Sequence, residues 1–90
     1  QHKGRTMLIQ EIALTHAEPG KAATAHLQID GKEYMLLGSR LGVTVLCGRW
    51  CHDRRALGKS FYSPENLVSH YRKHGAELLR YANRITAWGN

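Results

Sequence analysis

The chain has 90 residues, 42% of them hydrophobic, with a formal charge of +6 and two cysteines. That length fits one small domain, and the apolar content excludes a disordered chain. No apolar run approaches the roughly 20 residues that span a bilayer, and no secretory apolar segment opens the sequence. The charge points to polyanionic partners, chiefly nucleic acid and secondarily an anionic membrane surface, and the partner expected is nucleic acid with no membrane. Residues 1–6 are expected to form a disordered or non-native tail ahead of Met7, with residues 7–90 a single domain. Reduced thiols and the missing leader lead to a cytoplasmic expectation.

In chain order, Leu8, Gln10, Ile12 and Leu14 alternate with Ile9, Glu11 and Ala13, predicting a strand over 7–14. The polar run 16–21 contains a Pro-Gly breaker and predicts a turn. Alternation resumes over 24–29 and again over 32–37, with Asp30-Gly31 between. An Asp-Gly pair between alternating runs predicts a type I′ hairpin, because both central positions need positive φ. Residues 38–42 turn the chain again, and Val43, Val45 and Cys47 share one face of a fourth strand. Strands joined by short turns predict a four-stranded antiparallel meander.

Residues 48–62 have no clear period and read as a loop mixing Arg49, Arg54, Arg55 and Lys59 with Trp50, Phe61 and Tyr62. Ser63-Pro64-Glu65 announces a helix: a cap, a proline suited to the first position, and an acid at the positive end of the dipole. Leu67, Tyr71, Leu78, Ala82 and Ile85 then share one helical face, widened by Val68 and Leu79, while Gly75 kinks or ends the helix. The fold class that follows is α+β, an antiparallel sheet of about four strands with one C-terminal helix packed on it.

Charge is uneven. Residues 1–48 carry five basic and four acidic residues, whereas 49–90 carry eight basic and three acidic, so the positive surface belongs to the loop and the helix. Cations interleaved with aromatics suit neutralisation of phosphate together with stacking on unpaired bases. The residues expected to contact nucleic acid are Arg49, Trp50, Arg54, Arg55, Lys59, Asn66, Arg72, Lys73, Arg80 and Arg84.

Cys47, Cys51, Phe61, Leu67, His70 and His74 read C-x3-C-x9-F-x5-L-x2-H-x3-H. Residues 47–74 thereby resemble the Cys/Cys/His/His zinc-finger family. The resemblance implies one structural zinc held by Cys47, Cys51, His70 and His74, since two histidines four apart on a helix point the same way. It implies an apolar pair in Phe61 and Leu67, base reading from Ser63, Asn66 and Ser69, and phosphate contacts from Arg72 and Lys73. Between Cys51 and His70 stand 18 residues, where the family has about 12. Cys47 equally continues the Val43/Val45 face as a small core residue. His52 is an alternative ligand beside Cys51, and His2, His16 and His26 receive no role.

The functional expectation is a small basic nucleic-acid-binding protein, regulatory or accessory, with a structural zinc. Two alternatives stand beside it. One is an interaction module that dimerises through its edge strands. The other is a metal-independent ribonuclease using His70 or His74 as general acid or base. No paired-carboxylate site or phosphate-cradling glycine loop argues for an enzyme.

Overall fold

A computed structural model describes residues 7–19, 22–39, 42–53, 55 and 62–88 of the chain. Arg54, Lys59, Phe61 and the tail 1–6 lie outside the described residues. The architecture is α+β. Strands β1 (Ile9–Thr15), β2 (Ala23–Ile29), β3 (Lys32–Ser39) and β4 (Gly42–Cys47) form one antiparallel meander in the order β1-β2-β3-β4. A 3-10 turn (Gly48–His52) follows, then a short helix α1 (Asn66–His70) and the longer α2 (Gly75–Trp88).

The hairpin between β2 and β3 has φ of 50° at Asp30 and 83° at Gly31, with Ile29 opposite Lys32. Both central residues are left-handed, as the Asp-Gly pair predicts. That register places Ala25, Leu27 and Ile29 beside Leu36 and Tyr34 on one face, where they meet Leu67, Leu78, Ala82 and Ile85 from the helices. The opposite face carries Thr24, His26 and Gln28 beside Glu33, Met35 and Leu37, all half-buried. The 3-10 turn packs against β3 and β4 at one side of this second face and buries Cys51.

Two details differ from the sequence pattern. Strand β1 contains a bulge between Glu11 and Ala13, so Ile9 and Glu11 face Ile29 and Leu27 while Leu14 faces Ala25. The extra residue reverses the alternation midway. Ile9 and Leu14 therefore share the core side, and Ile12 is 46% exposed rather than aligned with Leu14.

The helical stretch is interrupted next to Gly75, as expected there, but the break begins several residues earlier. Helix α1 ends at His70, with Tyr71 at φ −113°, ψ 79°, and a second helix starts at Gly75. Val68 is exposed rather than part of the apolar face. Ser63 contributes to the start of α1 through its carbonyl, which accepts from Asn66 N at 3.0 Å, and no side chain caps that helix.

Candidate metal and nucleic-acid sites

The break between the helices decides where the finger-like residues go. His70 and His74 lie on different elements, so the i, i+4 geometry that aims two imidazoles at one ion is absent. His70 is exposed, with its Nε2 3.2 Å from the Tyr62 hydroxyl. His74 is only 3% exposed; its Nδ1 is hydrogen-bonded to the Tyr34 hydroxyl at 2.8 Å and its Nε2 lies 3.5 Å from Asp30 Oδ2. Cys47, at the end of β4, is half-buried and interacts with Tyr71. The Cys51 thiol donates to the Leu46 carbonyl at 3.3 Å. Each of the four is engaged by a different neighbour.

These contacts make a latch. Asp30, at the tip of the β2–β3 hairpin, accepts from Leu8 N at 3.0 Å and donates its own N–H to Leu8 O at 2.8 Å, while its other carboxylate oxygen faces His74. Tyr34 packs edge-on against both Tyr71 and His74. The turn between α1 and α2 is thereby fixed to the hairpin end of the sheet. Burial pushes the Cys47 thiol and the Tyr34 and Tyr71 phenols up from their ordinary values; the charge of Cys47 adds to the shift of both phenols, whereas Tyr71 and Lys32 oppose that of Cys47.

On the other face of the sheet a second polar group assembles. His26 Nε2 and Glu33 Oε2 are 2.5 Å apart, and His52 Nε2 is 3.1 Å from the same carboxylate oxygen. The His26 and His52 rings meet edge-on at 5.9 Å. Among the described residues, the group of three or more metal-ligating side chains whose ligand atoms all lie within 4.8 Å of one another is His26, Glu33 and Cys51. The hydrogen bond with His26, joined by the charge of His52, holds the Glu33 carboxyl below its ordinary value. Burial, with Glu33 adding to it, raises the Cys51 thiol to about 11.

The cations divide by their partners. Arg55 pairs with Asp53 at 3.2 Å and Arg80 with Glu77 at 3.0 Å; Arg84 lies 3.7 Å from Glu11 and over the Tyr81 ring. Arg72 and Lys73 are exposed in the helix–helix turn and face no carboxylate among the described residues. Lys32 sits over the Tyr34 ring at the same end of the sheet. Arg49, two residues beyond Cys47, stacks its guanidinium 5.0 Å over Trp50, itself 48% exposed. Asn66 is exposed at the start of α1.

Sequence reasoning passed over His26, Glu33 and Lys32. The hairpin register held the signal for the first two. With Gln28 opposite Glu33, His26 lies diagonally across on the same face. No family model matches the chain, and no characterised protein or solved structure is significantly similar to it.

Proposed function

We propose that this chain binds nucleic acid through the end of the sheet that carries Arg49, Trp50, Arg72, Lys73 and Lys32. The observation that supports this reading most is the sorting of charge. Arg55, Arg80 and Arg84 are offset by carboxylates, whereas Arg49, Arg72 and Lys73 pair with no carboxylate among the described residues. An exposed tryptophan stands among them, and a cationic surface with a stacking platform suits single strands or unpaired bases.

The test is fluorescence anisotropy with labelled single-stranded and duplex oligonucleotides over a salt series. Affinity should fall steeply with salt, with a log–log slope of about 0.7–0.9 per phosphate contact. Arg72→Glu with Lys73→Glu should flatten that slope, and Trp50→Ala should weaken single-strand binding by about 1–3 kcal/mol. No binding at low salt, or binding indifferent to salt, refutes the reading.

A second reading, a homodimer through β1, is favoured by one observation. β1 is an edge strand, and Leu8 beside it is 74% exposed. Sedimentation equilibrium distinguishes the two: a dimer that persists at high salt and loses stability in Ile12→Lys supports the interaction module.

A further inference from the structure

We propose that His26, Glu33, Cys51 and His52 form a zinc-type metal site on the open face of the sheet, sharing only Cys51 with the finger-like set. The four side chains come from three elements that the fold brings together. His26 on β2 and Glu33 on β3 are fixed by the Asp30-Gly31 hairpin, whose register leaves them diagonal neighbours. Cys51 and His52 are adjacent in the 3-10 turn, which folds back from β4 over that face.

Three of the four ligand atoms already cluster, and the fourth is in contact with one of them. Metal–ligand bonds of about 2.0–2.3 Å in a tetrahedron put the ligand atoms about 3.3–3.8 Å apart. His26, Glu33 and Cys51 already have their ligand atoms within 4.8 Å of one another, and His52 Nε2 is 3.1 Å from the Glu33 carboxylate. The His26–Glu33 hydrogen bond at 2.5 Å has to open by about 1 Å to reach that spacing.

The donor set selects the metal. Two imidazoles, one thiolate and one carboxylate suit a borderline-soft divalent ion, whereas magnesium and calcium take oxygen ligands. Cys51 is what separates this group from a simple histidine–carboxylate contact. The His26–Glu33–His52 contacts involve no sulfur. Here a buried thiol, which donates to the Leu46 carbonyl at 3.3 Å, stands within 4.8 Å of the same carboxylate. His52 is 66% exposed and is the ligand that completes the closure. With all four bound the site is closed and structural, and it pins the 3-10 turn to the sheet. This inference does not rest on nucleic-acid binding.

Cobalt substitution tests it on the full-length chain, kept reduced. Co²⁺ bound by one thiolate in a four-coordinate site gives visible d–d bands and a thiolate-to-metal charge-transfer band. Both should appear at one equivalent, and Zn²⁺ should displace them. Cys51→Ser should abolish the charge-transfer band, and His26→Gln or Glu33→Gln should weaken Co²⁺ binding by more than about 100-fold. Cys47→Ser and His70→Gln should leave the spectrum intact. The wild-type titration needs no variant, so its outcome stands whether or not a variant folds. An absent charge-transfer band in the wild type, or a band lost in Cys47→Ser and kept in Cys51→Ser, overturns the assignment.

Discussion

Gly75→Ala sets two effects against each other, and the structure fixes which one wins. A Cβ at this position would stand 2.7 Å from Val68 Cα, 2.8 Å from the Leu67 carbonyl oxygen and 3.1 Å from that of Val68. Carbon atoms pack best at about 3.5–4.0 Å, and all three neighbours are backbone, so no side chain can swing aside. The two helices must separate by roughly 1 Å. Leu67, fully buried, travels with α1 and loses part of its packing.

Helix propensity acts in the opposite sense. Alanine for glycine gains at most about 1 kcal/mol in a helix, and less in its first turn. Overpacking costs about 1–3 kcal/mol, and partial exposure of a leucine adds up to about 2 kcal/mol. The net is a loss of about 2–3 kcal/mol, a fall in Tm of about 10–20 °C for a domain this size. Thermal unfolding followed by far-UV circular dichroism measures it. Asn83→Ala, on the exposed side of α2, serves as the propensity control and should gain up to about 0.5 kcal/mol. A Gly75→Ala variant as stable as the wild type, or more so, refutes the close approach of the helices.

Three further outcomes follow from the packing. His74→Ala should cost about 3 kcal/mol, since it opens a cavity and leaves the Tyr34 hydroxyl unpaired, whereas Tyr34→Phe should cost about 1–2 kcal/mol. Chemical denaturation of both single variants and the double variant should give a coupling of about 1 kcal/mol, and additive losses would dismiss the hydrogen bond. Ile12→Glu should change stability by less than about 0.5 kcal/mol while Ile9→Glu costs more than about 2 kcal/mol, and equal losses in urea melts would contradict the bulge. Alkaline pH should destabilise the fold. Cys47, Tyr34 and Tyr71 are held protonated by burial, so the unfolded chain releases their protons first. Their stabilising contribution is complete below the thiol's unfolded value of about 9 and declines as pH rises above it. Urea melts on either side of that value measure the decline, which Cys47→Ala should make shallower.

Much of this fold is legible in the residues because its signals are local. Asp30-Gly31 determines a turn type, the turn determines a register, and alternation on either side assigns the faces. Leu67, Leu78, Ala82 and Ile85 are read correctly as core because helical spacing survives the interruption between the two helices. The β1 bulge carries no such mark. Ile12 has the same residue type whether it points inward or out, and the extra residue is revealed only by the partner strand. The helix break is half legible: Gly75 announces a disruption, but the close approach that demands glycine depends on where α1 lies.

The candidate metal residues divide in the same way. Counting residues between Cys47, Cys51, His70 and His74 assumes one helix and one path. The actual path sends Cys47 to Tyr71, His74 to Tyr34 and His70 to Tyr62. His26 and Glu33 were accessible through the register alone. Their meeting with Cys51 was not, because a 3-10 turn after β4 has no periodic pattern to betray its direction.

The two proposed sites share a five-residue turn, and that makes them separable by experiment. Arg49 and Trp50 belong to the basic end, while Cys51 and His52 follow them directly in the same 3-10 turn. Arg72 and Lys73 are anchored differently, through Tyr71 to Cys47 and through His74 to Tyr34. A metal on the open face therefore fixes Arg49 and Trp50 and leaves the helix–helix turn as it was. Adding a chelator to the zinc-loaded chain should weaken single-strand binding several-fold, and the salt slope should fall by no more than about 1, the share of one arginine. Trp50→Ala should remove most of that chelator effect, because an ordered stacking platform is what the proposed metal would supply. A chelator effect of the same size in Trp50→Ala, with a slope falling by well over 1, would mean that the metal holds the whole basic end and not the turn alone.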